Sequence, residues 1–177
     1  DFSAVVLSDG TVAVHCDNPA LTEAVVPETL NGYKVTALDE GCFAENTALT
    51  QVTLPESLNA IGESAFYGCE KLTGITIPES VTAIGTNAFS GCASLTEICV
   101  PASVTQIGAY AFANLTALEE IVLPSTPEAI EYGAFYGCSS LTEVIVTECF
   151  CVHIGSQCLR CIRGTTVRDY HDQVEGV

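Results

Sequence analysis

The sequence predicts a solenoid, in which short coils stack one on another around a continuous core. Three observations carry that expectation. Phenylalanine recurs at Phe43, Phe66, Phe89, Phe112 and Phe135, each 23 residues from the last. Six residues later a leucine recurs (Leu49, Leu72, Leu95, Leu118, Leu141), followed by Val52, Ile75, Ile98, Ile121 and Val144 and then by Leu54, Ile77, Val100, Leu123 and Val146. Pro55, Pro78, Pro101 and Pro124 close the unit. A fixed period of roughly 20–29 residues on an L-x-x-L-x-L core is the pattern of a leucine-rich-repeat solenoid. The expected fold is therefore a right-handed, gently curved stack of mostly short parallel strands, with turn or 3-10 backs.

Residues 1–20 do not repeat. Val5-Val6-Leu7 and Thr11-Val12-Ala13-Val14 flank Ser8-Asp9-Gly10, which reads as two strands around a turn. An open solenoid end exposes apolar core, so this hairpin is assigned as an N-terminal cap. Residues 21–146 form the repeat region, with six strands and a period of 23 after a longer first unit. The extra residues of that first unit fall near Asn31-Gly32, a tight-turn dipeptide, which predicts a small protruding loop.

Each later unit repeats one plan. Leu-Thr-x-Ile-x-Ile is a strand whose fourth and sixth positions point inward and whose fifth points outward. Proline ends the pairing because it lacks an N–H. A segment such as Val81-Thr82-Ala83-Ile84-Gly85 returns over the back, and Ala88-Phe89 and its copies tuck into the core on a helical or 3-10 turn. Gly68, Gly91, Asn114 and Gly137 follow the phenylalanines by two residues. Glycine and asparagine tolerate positive φ, so a left-handed backbone is expected there. Residues 147–177 read as a degenerate last coil and a C-terminal cap, since Thr147 replaces the proline and Ile154-Gly155 echoes Ile84-Gly85 out of step.

Composition excludes several classes. The chain carries 22 Asp and Glu against 5 Lys and Arg, for a net charge of −17. Nucleic acids and anionic membranes both require a basic patch, so neither is an expected partner. No apolar run reaches the roughly 18 residues a membrane span needs. The chain begins at Asp1 without a signal-peptide pattern, so an export signal is expected outside it.

The motif L-T-x-I-x-I-P-x-S-V-T-x-I-G-x-x-A-F-x-G-C resembles the BspA-like leucine-rich repeat, also called the Treponema pallidum type. Residues 72–92 match it almost position by position, and residues 95–115 follow with Leu115 in place of the cysteine. The likeness extends over about residues 9–170. Proteins of that type are bacterial or protozoan surface or secreted proteins, some of them adhesins for host matrix or other cells. The resemblance implies such a location and a protein or glycan ligand.

Solenoids bind ligands on the outward positions of their strands. One outward row is Glu23, Gln51, Gly74, Glu97, Glu120 and Glu143, and the next is Val25, Thr53, Thr76, Cys99, Val122 and Ile145. In the C-terminal half this sets an apolar stripe (Cys99, Val122, Ile145) beside a carboxylate row (Glu97, Glu120, Glu143). An apolar patch rimmed by charge is a candidate interaction site. The alternatives are a tail folded over the patch, or scattered apolar residues without a role. The carboxylate row could also hold Ca²⁺, although no EF-hand or RTX loop is present.

Cys69, Cys92 and Cys138 share one repeat column, with Asn46 and Leu115 in its other copies, and are expected buried and reduced. Cys149, Cys151, His153, Cys158 and Cys161 have ligand-like density without two clean C-x-x-C pairs, which leaves zinc, a disulfide or free thiols open. Catalysis has thin support: His15 and Cys16 are adjacent on a strand and so face opposite ways, a poor dyad geometry, and no hydrolase, zinc-protease or phosphate-loop motif is present. The expected function is a non-catalytic recognition module without a cofactor. The alternatives are a structural spacer that displays another domain, or the non-catalytic region of a larger secreted enzyme.

Overall fold

The computed structural model of the chain describes residues 2–124, 129–147, 153–154 and 166–169. Strands β1 (Phe2–Val6) and β2 (Val12–Cys16) pair antiparallel, as the turn signal between them predicts. Gly10 closes the turn at φ 82°, and the Leu7 N–H donates to Thr11 O at 2.8 Å. Strand β3 (Glu23–Val25) opens the repeats. The predicted protruding loop is a tight hairpin of β4 (Thr29–Leu30) and β5 (Tyr33–Leu38). Its corner residues Asn31 and Gly32 lie at φ 54° and 82°, the mirror-image turn that matches strand twist.

The later coils alternate between two sides. The front strands are β6 (Gln51–Thr53), β9 (Glu97–Cys99), β11 (Glu120–Pro124), β13 (Glu143–Thr147) and β15 (Thr166–Asp169). The back strands are β7 (Ala60–Ile61), β8 (Ala83–Ile84), β10 (Gln106–Ile107), β12 (Ala129–Ile130) and β14 (His153–Ile154). The back strands pair in parallel with β5, and through it with β2 and β1, in one continuous sheet. Of the turn or 3-10 backs expected, the structure has turns joined to these short strands. Among the described residues there is no helix, because each return segment pairs with the one before it and satisfies its backbone in a ladder.

The front differs from expectation in one coil. Leu72–Ile77 forms no strand and touches the ladder only at a single bridge, Gln51 to Gly74. The front sheet is thereby split into β3–β6 and β9–β11–β13–β15. A strand-interior glycine contributes no side chain to cross-strand packing and loses more backbone entropy when ordered. Gly74 sits between Gln51 and Glu97 in the outward row, where every other coil carries Glu or Gln.

At the turns, alternate N–H groups donate to the next coil: Ser64 to Thr86 O, Phe66 to Ala88 O and Gly68 to Ser90 O, each at 2.8 Å. The expected left-handed residues are present at Gly68, Gly91, Asn114 and Gly137 (φ 57–75° and 80°). A second left-handed column precedes it: Gly41, Ser64, Asn87, Tyr110 and Gly133. Between these columns the phenylalanines enter the core. From Phe43 to Phe135 the rings stack near-parallel at centroid distances of 5.2, 5.2, 5.7 and 5.7 Å. Those distances are offset stacking, the favoured geometry for parallel rings. On the back, a Cβ at Gly85 would lie 2.6 Å from the Glu63 nitrogen, so coils approach there only without a side chain.

Phe89 is completely buried between two rings. Phe89→Ala is expected to cost about 3–5 kcal/mol in urea unfolding. A loss below about 1 kcal/mol would mean that the column is not the core element the packing indicates.

Candidate functional site

The front strands bring the two predicted rows together by register. Glu97 pairs with Glu120 and Glu120 with Glu143, while Cys99 pairs with Val122 and Val122 with Ile145. Between the rows, Ile98, Ile121 and Val144 are buried, so each strand anchors on its inward residue and presents its outward ones. Glu97, Cys99 and Glu120 are exposed; Val122, Glu143 and Ile145 are half-buried. Strand β15 lies beside β13, with Thr166 opposite Glu143 and Arg168 opposite Ile145, so this part of the tail widens the sheet. Among the described residues no three His, Cys, Asp or Glu side chains gather as metal ligands. Of the cysteine-rich cluster, only His153 has a described backbone, in β14; Cys149, Cys151, Cys158 and Cys161 lie outside the described residues.

The break in the front sheet opens a cleft of about 850 Å³. Its floor is the coil Thr73–Ile77, and its walls are β6 on one side and β9 and β11 on the other. Glu79, Glu97, Glu119 and Glu120 line it, with no lysine or arginine, and Thr53, Thr76 and Cys99 add small polar groups. A threonine ladder marks its edge. Thr50 and Thr73 donate their hydroxyls to the carbonyls of Thr22 and Thr50 at 2.8 and 3.3 Å, and the series is interrupted after Thr73 until Thr142, which donates to Glu119 O at 3.2 Å. The sequence placed Gly74 and Thr76 in the outward rows but gave no sign of a cleft, because Ile75-Thr76-Ile77 has strong strand propensity.

The cysteines separate by environment. Cys69, Cys92 and Cys138 are buried free thiols that donate to the carbonyls of Phe43, Phe66 and Phe112 at 3.1, 3.1 and 3.0 Å. Asn46, fully buried in the same column, donates to Leu21 O at 3.0 Å and accepts from the Ala48 and Leu49 N–H groups. Burial raises the Cys42 thiol far above its ordinary range and the Cys138 thiol to about 11. The hydrogen bond with Cys69, reinforced by burial, raises Cys92. Cys16 is raised by burial as well. Cys99 alone of the described cysteines is exposed, at the cleft wall.

The comparisons with known proteins fit this architecture. The family model for the BspA-type leucine-rich repeat region matches residues 36–163 in 6 copies. The chain belongs to that family. Its structure is similar to the leucine-rich repeat protein of T. pallidum, with a TM-score of 0.80 and 26% identity over 94% of this chain and 78% of that one. A leucine-rich repeat protein of Bacteroides capillosus is 31% identical, with a TM-score of 0.60 over 68% of this chain and 91% of that one. The pneumococcal vaccine antigen PcpA shares the fold at 19% identity and a TM-score of 0.74, where this chain spans 95% of itself and 42% of the antigen. Comparison with curated proteins gives no match.

Two outcomes follow from the thiol environments. Among the described cysteines, only Cys99 should react quickly with a thiol reagent in the folded protein, so Cys99→Ser should remove one fast equivalent. No change in the fast phase would show that Cys99 is covered. A thiol whose folded pKa lies above its unfolded value favours folding at low pH and loses that contribution as pH rises through the folded value. For Cys138 the window runs from 9.0, the ordinary value, to about 11. Thermal melts should therefore fall across that window, and Cys138→Ala should flatten part of the fall.

Proposed function

We propose that this chain is a non-catalytic recognition module that holds a protein or glycan ligand on the outward face of its front strands. The setting is the cell surface or the extracellular space, and the role is adhesion to host matrix or to another cell. The observation that carries this reading is the cleft at Gly74, which adjoins the carboxylate row and the Cys99–Val122–Ile145 stripe on one face. A ligand seated there would meet an apolar stripe flanked by charge, the make-up of a recognition patch. Repeat solenoids bind on such faces because adjacent coils supply one surface from many short segments. A pure spacer needs the stacking and the caps, but gains nothing from an open cleft on its strand side. Membership in the BspA-type family supports the location and the adhesive role.

The test is a binding screen of the isolated chain against immobilised matrix proteins and glycans, with the Val122→Asp/Ile145→Asp double variant beside it. Both positions are half-buried, so each variant's fold is checked by circular dichroism. At least one ligand should bind the parent chain and be lost, by about tenfold or more in Kd, in the folded double variant. Unchanged binding by the double variant would remove this face as the docking surface.

A further inference from the structure

The back sheet begins in an unguarded strand. β1 is the first strand in the order of that sheet, and among the described residues it pairs with β2 alone. Three hydrogen bonds fix which of its backbone groups that pairing uses. The Leu7 N–H points to β2, where it meets Thr11 O. On β2, Val14 O and the Cys16 N–H are committed to the other side, to the Asp39 N–H and to Cys42 O. Ala4 stands opposite Val14 and Phe2 opposite Cys16, so these are non-hydrogen-bonded pairs of the antiparallel ladder. Ser3 and Val5 therefore bond to β2, whereas Phe2, Ala4 and Val6 aim their N–H and C=O groups past the end of the sheet.

Unpaired strand edges are templates for another chain, and natural proteins blunt them with charged side chains, proline or bulges. β1 reads Phe-Ser-Ala-Val-Val and pairs with β2 in regular register over all five residues, so it carries none of these. Val5 and Val6 are 54% and 59% exposed. The end of a solenoid needs a polar outer face to stay in solution alone. We propose that β1 pairs antiparallel with β1 of a second copy, joining two chains end to end about a twofold axis.

Register and packing select that occupant. Centred on Ala4, the pairing sets Phe2 opposite Val6 of the partner subunit, and Val6 opposite the partner's Phe2. All three residues with outward backbone groups then meet residues with outward groups, so each pair can exchange two N–H···O bonds. The strand is its own complement, as a twofold interface requires. Phe2 and Ala4 are packed against the core, and Phe2 meets Phe43 edge-on at 6.0 Å and 82°. On that face the partner's Val6 would cover Phe2 and continue the apolar packing past the end of the ring column. β1 itself is uncharged. The Asp9 turn of one copy would share an end of the paired strands with the partner's Asp17, so association should tighten as salt screens the carboxylates. Edge-to-edge pairing keeps both front sheets on one side, which would give a surface-displayed ligand two faces to bind. That last consequence rests on the front face as docking surface; the dimer does not.

Sedimentation velocity of the chain from about 5 to about 500 µM tests the proposal. The interface is small, so a monomer–dimer equilibrium with a Kd of about 1–100 µM is expected, falling as salt rises. Val6→Pro removes an outward N–H and leaves the β2 pairing intact, since proline is tolerated where the N–H faces off the sheet. Val5→Lys adds the missing edge charge. Each should raise Kd at least about tenfold, while keeping the melting temperature that the parent shows when dilute and monomeric. Amide exchange by NMR gives a readout free of substitution. The Ala4 and Val6 amides should slow in step with the dimer fraction, whereas those of Ser3 and Val5 should be slow at every concentration. A chain that stays monomeric throughout would overturn the proposal. So would a dimer that both variants leave unchanged, or one in which the Ala4 and Val6 amides stay fast.

Discussion

The backbone hydrogen bonds that pass from one turn to the next set everything else in the molecule. Each turn gives three alternate N–H groups to the carbonyls of the following coil, as Phe43, Phe66, Phe89 and Phe112 do to Ala65, Ala88, Ala111 and Ala134 at 2.7–2.9 Å. Buried backbone groups must find partners, and here these alternate groups find theirs on the neighbouring coil while those between them, such as Ala65 and Tyr67, bond within their own turn. The register can be kept only if every coil holds the same number of residues. That requirement is the 23-residue period. Once it is met, identical side chains fall into columns: the rings stack, the thiols reach phenylalanine carbonyls, and Ser57 and Ser103 donate to Val35 and Val81 O at 2.6 Å.

With turns and back sheet bound coil to coil, the front is released from part of its structural duty. The front sheet can be interrupted at Gly74 while the back ladder continues through β7, β8 and β10. The longer first unit is absorbed in the same way, as the β4–β5 hairpin projecting from the stack. Departures from the repeat therefore collect where they do not break the turn register. The positions free to vary on the front strands are also the ones a ligand can touch. This division between a constrained turn-and-back scaffold and a permissive front links the stability of the fold to the proposed recognition face.

Most of the scaffold was legible in the sequence because it is written in residues with narrow roles. Phenylalanine at fixed spacing means a buried column, and Gly68, Gly91 and Gly137 mean positive φ. The second left-handed column was hidden, because Gly41, Asn87 and Gly133 favour that conformation but Ser64 and Tyr110 break the series, holding it through the turn's hydrogen bonds. The back sheet was hidden as well: two-residue strands such as Ala83–Ile84 carry too little pattern to separate a strand from a turn. The outward rows were read in the correct register from period alone. The cleft was not. Ile75-Thr76-Ile77 reads as a strand, and only the stacked structure shows that the coil parts from β9.

The missing ladder between Thr73–Ile77 and β9 underlies the cleft, and backbone amide exchange measured by NMR tests it without any ligand. Val122 N–H lies in the β9–β11 ladder, whereas those of Glu97 and Cys99 face the break. In the free protein, the Glu97 and Cys99 amides should exchange at least about a hundredfold faster than that of Val122, as solvent-facing groups do beside ladder groups. Equal protection of the three would show that Thr73–Ile77 closes onto β9 in solution, and that the front sheet is continuous.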